Sequence, residues 1–179
     1  TSFFESPMNI RFDPARSLYW IGDVNDSNLR SAVKRLIALT TENSKAPIFF
    51  LLKTDGGDMD TGFAFYNLAR QIKTPIVSVA IGEVASMGIV LLMSGRERIA
   101  LPHATFWLHE PHTGVEEATI AKMNEETATL VRERTQYIRI IKAGVAQKKR
   151  SRIKIETLIK EEKTIAAQEA VKIGLVHRI

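Results

Sequence analysis

The sequence predicts a single α/β domain, built from repeated β-α-β units around a mostly parallel sheet, with one long helix in its second half. Three observations predict it. Short apolar runs of strand length alternate with stretches of helical periodicity in roughly the first hundred residues, an order that implies crossover connections and parallel pairing. The 179 residues suit one domain, and no internal repeat or linker divides them. At 45% hydrophobic and 25% charged residues, the chain has enough apolar side chains to fill one sizeable core.

The elements follow in order. Residues 1–17 hold Pro7 and Pro14 and read as an irregular arm. Leu18-Tyr19-Trp20-Ile21 reads as a buried strand closed by Gly22. Asp26 and Ser27 are helix-start residues, and Leu29, Val33, Leu36 and Ile37 then share one helical face. Ile48 to Leu52 is a continuous apolar run of the kind buried on both faces of a parallel sheet. Thr54-Asp55-Gly56-Gly57 breaks it, and a helix with Phe63, Tyr66, Leu68 and Ala69 ends before Pro75. Ile76 to Ile81 is a third strand, Gly82 to Ser86 a short turn, and Met87 to Met93 a helix. Ile99 to Leu101 and Thr105 to Leu108 are further short strands. A long helix is expected from about Glu117 to Lys142, acidic at its start and basic at its end as the helix dipole favours, with Gly144 closing it. A last helix, Ala166 to Lys172, stops at Gly174.

Composition excludes several kinds of chemistry. Without cysteine there is no disulfide, thiolate catalysis or cysteine-ligated zinc, and the composition fits a cytoplasmic protein. No apolar run approaches the ~20 residues of a membrane-spanning helix, so no membrane partner is expected. Much of the net charge of +5 lies in Lys148-Lys149-Arg150 with Arg152 and Lys154. That run reads as a patch for an acidic partner or as a solvated helix end. No aromatic residues interleave with it, which favours the helix end and argues against a nucleic-acid partner.

The segment Gly82-Glu83-Val84-Ala85-Ser86-Met87-Gly88 stands between an apolar strand and a helix. It therefore holds a serine at the carboxyl end of a sheet, where α/β proteins place their sites, with free helix N–H groups beside it. Ser86 could equally be a helix cap. Gly56 and Gly57 end another buried strand, as a tight turn or as a backbone that approaches a ligand closely. Of the four histidines, His109 ends a strand and precedes Pro111, where an imidazole can reach a cleft. His103 and His112 lie in turns and His177 near the end; no helical His-x-x-x-His pair suggests a metal.

Four motifs, in this order, resemble the proteolytic subunit of the Clp protease: Gly56-Gly57; Gly-x-x-Ala-Ser-Met-Gly around Ser86; Leu101-Pro102 leading to His109-x-Pro111; and Ala167-x-Glu169-Ala170-Val171-x-x-Gly174-Leu175-Val176. The resemblance covers roughly Leu18 to Ile179. It implies a ClpP/crotonase-like fold and a serine-type endopeptidase acting on peptides or unfolded proteins inside a self-assembled ring chamber. Ser86 would be the nucleophile and His109 its base, and the N–H groups of Gly57 and Met87 would form the oxyanion hole. The long helix would be the handle between two rings, giving homo-oligomeric rings, a heptamer or a double ring. No metal or organic cofactor is implied.

The chain departs from the family in four places. No aspartate follows Asp60. Counting back from Glu169-Ala170-Val171 puts Glu162, with Glu161 beside it, where the family's third catalytic residue, an aspartate, stands. Lys53-Thr54-Asp55 replaces the family's Asn-Ser-Pro before the glycine pair, placing charge near the substrate backbone. His112 to Glu117 holds one glycine where the family strand is glycine-rich. The segment before Leu18 does not resemble the family's axial loop and helix, so the resemblance leaves docking of an AAA+ unfoldase open. Two other readings remain open: a catalytically weak or inactive scaffold or modulator subunit, and a crotonase-like acyl-coenzyme A enzyme.

Overall fold

A computed structural model describes residues 13–112, 114, 118–145 and 155–179. Six strands form one sheet in the order β1-β2-β3-β5-β6, with β4 also paired to β3. All pairings are parallel except β5 with β6. The fold is therefore the mixed α/β architecture with a mostly parallel sheet and a long helix that the sequence predicts.

A 3-10 turn, Pro14–Arg16, leads into β1 (Ser17–Ile21). β1 alternates: Leu18 and Trp20 are buried, Tyr19 and Ile21 exposed. The expectation of a strand buried along its length therefore fails on one face of β1, the strand at the end of the sheet order, where Tyr19 and Ile21 are exposed among the described residues. α1 (Asp26–Glu42) starts at Asp26 as expected, and Asn25 caps it: the Asn25 side chain accepts from the Asn28 N–H. β2 (Ile48–Thr54) is the central apolar strand, and α2 (Met59–Gln71) is capped by Asp58 accepting from Thr61 N.

β3 (Ile76–Ala85) corrects the expected turn at Gly82 to Ser86: the strand continues through Ala85. It can do so because it exchanges partners. Val77 to Ala80 pair with β4 (Glu97–Ala100), and Glu83 to Ala85 pair with β5 (Thr105–Trp107). The register against β2 shifts at the same place. α3 is the short Gly88–Leu92, wholly buried.

α4 (Ile120–Val145) runs beyond the expected stop. Gly144 lies inside it rather than capping it, and a side chain there would collide with Met93 Sδ, so this glycine serves close packing. Ile138, Ile140 and Ile141 at its far end are buried, whereas Ile120, Met123 and Val131 are exposed. α5 (Ile155–Glu161) and β6 (Thr164–Ala166) were not expected, and α6 (Ala167–Ile173) closes at Gly174, which takes the left-handed conformation. The basic run at 148–154, most of the amino-terminal arm and the expected helix start at Glu117 lie outside the described residues. No described helix is long and apolar enough to cross a membrane.

The core joins both faces of the sheet: Trp20, Phe50, Phe65 and Phe106 are its largest fully buried members. Arg98 is also buried, donating to the carbonyls of Leu175, Gly144 and Gly174. Burial and the nearby Arg70 lower its pKa to about 10. His177 is structural, its Nδ1 accepting from Arg98 N at 2.9 Å.

Candidate active site

The carboxyl ends of β2, β3 and β5 meet at one edge of the sheet, and each delivers one part of the site. β3 delivers Ser86, in the left-handed region with φ 52. That conformation is costly for a residue with a side chain and persists only where neighbours fix it. Ser86 N–H donates to Trp107 O at 2.8 Å. Its carbonyl accepts from Ile89 N at 3.0 Å and from the Tyr137 hydroxyl at 3.3 Å. The result is a sharp strand-to-helix turn that exposes Oγ, the geometry of a nucleophile elbow. Ser86 therefore is not the helix cap: α3 begins after Met87, with no side-chain cap.

β5 delivers His109. Its Nε2 stands 2.8 Å from Ser86 Oγ, a full hydrogen bond. The ring is buried and stacks on the Trp107 indole, centroids 4.3 Å apart and planes 12° apart. His112 approaches it at 5.3 Å. With Nε2 accepting the Ser86 proton, Nδ1 carries the other hydrogen; among the described residues no carboxylate accepts it.

β2 delivers the glycine pair. Gly56 is at φ 102, and its N–H donates to Thr54 Oγ1 at 3.1 Å. It lies against the nucleophile: a Cβ there would be 2.5 Å from Ser86 Cβ. Gly57, at φ 143, fits against Val24 through Val24 N to Gly56 O and Asp58 N to Val24 O, at 2.8 and 2.9 Å. Among the described residues, the N–H groups of Gly57 and Met87 have no hydrogen-bond acceptor. Lys53 and Asp55 pair with one another at 3.3 Å and are both exposed. The helix after Ser86 spans only five residues, so any oxyanion stabilisation comes from local N–H groups rather than from a long helix dipole.

The structure thus brings Ser86 and His109 together, with Gly56 against the serine; these two and Met59, Met87, Pro111 and Tyr137 line one cleft, whereas Gly57 packs on Val24. It does not bring the Glu162 carboxylate to His109. Glu162 is exposed in the turn between α5 and β6, at φ 50, and its backbone carbonyl accepts from Trp107 Nε1 at 2.7 Å. The expected third member meets the histidine's neighbour instead. The physical reason is register: β6 pairs Thr164 opposite Trp107, and the large indole lies between the turn and the imidazole.

Two features went unseen in the sequence. Tyr137 lies in the long helix with nothing in the sequence to mark it, yet its buried hydroxyl holds the Ser86 carbonyl; burial pushes its pKa far above the ordinary value, so it remains a donor. Glu110 forms a bidentate pair with Arg134, at 2.5 and 2.7 Å, tying the His109 segment to α4. The Arg134 hydrogen bond, followed by its charge, lowers the Glu110 pKa. A hint was available for the pair, an acid directly after the candidate base, but nothing marked Trp107.

Comparison with known proteins agrees with this picture. The family model for Clp protease matches residues 8–179. The chain is 29% identical over 171 residues to the ATP-dependent Clp protease proteolytic subunit 3 of a Synechococcus species, an alignment covering 94% of this chain and 84% of the relative. It is 28% identical, with the same coverage, to the ATP-dependent Clp protease proteolytic subunit 2 of Prochlorococcus marinus.

Proposed function

The chain belongs to the Clp protease family, and from that premise we propose that it is a serine peptidase subunit that hydrolyses peptide bonds of peptides or unfolded proteins. The observation that carries the proposal is the 2.8 Å contact between His109 Nε2 and the Oγ of a serine held in a strained elbow. Ser86 Oγ attacks the scissile carbonyl while His109 takes its proton. The tetrahedral oxyanion is received by the N–H groups of Gly57 and Met87, a kind of contact worth roughly 100- to 1000-fold in rate. His109 then protonates the leaving amine, and water repeats the sequence to release the acyl group. Met59, Pro111 and Tyr137 make the adjoining cleft apolar, which suits an uncharged side chain beside the cleaved bond.

The names of the relatives describe subunits, and the exposed apolar residues of α4 suit packing against another copy, which supports assembly into homo-oligomeric rings. Treating wild type and Ser86→Ala with a fluorophosphonate probe and a short fluorogenic peptide tests the proposal. Labelling and turnover that disappear in the variant, with the melt unchanged, are expected. A wild-type protein that is assembled but neither labels nor turns over would defeat it.

One observation favours a second reading. His109 lacks a carboxylate partner among the described residues, so the subunit would contribute structure to an assembly and hydrolyse nothing itself. Rings that form normally, with no labelling in any assembly state, would support that reading.

A further inference from the structure

We propose that Trp107 is the positioning residue for the catalytic pair, and that Glu162 serves the site through its backbone carbonyl rather than its carboxylate; this rests on the peptidase reading above.

Three contacts radiate from Trp107. Its carbonyl accepts the Ser86 N–H at 2.8 Å, on the nucleophile side. Its indole stacks on His109 at 4.3 Å and 12°. Its Nε1 donates to Glu162 O at 2.7 Å, which fixes the indole plane. The sheet register permits all three, because Trp107 sits opposite Ala85 on β3 and Thr164 on β6. The side chain is not core filler: its neighbour Phe106 is fully buried, whereas Trp107 remains partly exposed.

Backbone strain points to the same residue. Among the described residues, two that are not glycine have positive φ, Ser86 and Glu162. Both hydrogen-bond to Trp107, Ser86 to the Trp107 backbone carbonyl and Glu162 to the indole N–H. Strain of this kind persists where surroundings over-determine it, and it gathers at functional sites.

A general base needs its ring held in one plane and its cation stabilised as the proton arrives. A carboxylate on Nδ1 ordinarily does both. An indole face can do both as well: stacking fixes the plane, and its negative π-face attracts the imidazolium. The turn at Glu162 then fixes the indole.

The test compares Trp107→Leu, Trp107→Phe and Glu162→Gln in the full chain, each checked by thermal melt. With a fluorogenic peptide, Trp107→Leu lowers kcat roughly 10- to 100-fold and leaves KM within about twofold, since misplacing a base costs that much. Trp107→Phe, which keeps a stacking ring, restores most of the loss. Glu162→Gln, which keeps the carbonyl, lowers kcat less than about threefold. A loss of about 1000-fold or more in Glu162→Gln, the scale of a missing triad carboxylate, would overturn the assignment.

The second readout is independent of turnover. His109→Ala changes the tryptophan emission of the wild-type background and leaves that of the Trp107→Phe background unaltered. An unchanged emission in both would mean that the stack is absent in solution and would sink the inference, whether or not the protein cleaves peptides. Conversely, the emission change in a protein that never labels would retain the stack and defeat only the peptidase reading.

Discussion

Replacing Gly56 by alanine tests how tightly β2 and β3 define the nucleophile. A Cβ at Gly56 would stand 2.5 Å from Ser86 Cβ, 3.0 Å from its Oγ and 3.1 Å from Ala85 O. Carbon atoms rest comfortably about 3.5–4.0 Å apart, so the two strand ends must separate by roughly 1 Å. The obstacle is a Cβ and a carbonyl, not the far end of a flexible chain, so no side-chain rotation relieves it. Alanine must also adopt φ 102, a conformation that costs a side-chain-bearing residue about 1–3 kcal/mol. Moving a nucleophile by ~1 Å costs about 100-fold in rate. Gly56→Ala is therefore expected to label with fluorophosphonate about 100 times more slowly, and to melt about 2–12 °C lower, since 1 kcal/mol shifts a domain of this size by about 2–4 °C. Gly82→Ala is the control. Its Cβ would meet only the Lys53 side chain, Cγ at 3.2 Å and Cβ at 3.9 Å, a flexible chain that can give way, and its labelling rate should change less than about twofold. If Gly56→Ala labelled and melted like wild type, the packing argument for the elbow would be wrong.

Three further outcomes are expected. Tyr137→Phe removes the hydroxyl that holds the Ser86 carbonyl at 3.3 Å, and should lower kcat about 3- to 10-fold and stability by about 1 kcal/mol in urea titration. Glu110 has a lowered folded pKa, so its pairing with Arg134 stabilises the fold above the unfolded value of ~4.3 and is lost as pH falls through the lower folded value. The melting midpoints of wild type and Arg134→Gln should accordingly differ by a constant amount from pH 8 to about 5 and converge in stronger acid. A gap of the same size at every pH down to acid unfolding would show that Arg134 acts by packing instead. Ile120, Met123 and Val131 form one exposed stripe of α4, and glutamate at Met123 and Val131 should reduce the assembled mass in sedimentation without lowering the melt of the subunit; unaltered mass would place the contact elsewhere.

Where sequence pattern and burial coincide, the fold could be read in advance. Ile48 to Leu52, and Ile76 to Ala80 apart from Ser78, are apolar because they lie mostly buried inside the sheet, and composition records that directly. Ser86 and His109 were legible because a strand end followed by glycine or proline projects a side chain into a cleft. Features that depend on partners distant in sequence were not legible. Gly82 and Glu83 read as a turn, and only the exchange of β4 for β5 makes them strand. Thr164 to Ala166 has one buried residue, Ile165, which is too little pattern to announce a strand. Gly144 read as a helix stop because nothing nearby in sequence reveals that Met93 packs against it.

Glu162 shows the same limit at the level of chemistry. Counting along a motif gives a residue's place on the chain, and a three-residue strand then fixes that place beside β5. It does not give the direction of the side chain. That direction is decided by what occupies the space between turn and imidazole, here an indole whose N–H needs an acceptor when it packs against a site. Once the Glu162 carbonyl has accepted that hydrogen, the turn is held at φ 50 and the carboxylate lies on the exposed side of the chain. The indole beside the base and the outward carboxylate in the turn are therefore coupled: the indole positions His109, and the turn that holds the indole keeps the acid away from it. A double substitution that shrinks the indole and shortens the acid, Trp107→Met with Glu162→Asp, should accordingly recover activity that Trp107→Met alone has lost. Additive losses from the two substitutions would show instead that the positions act independently.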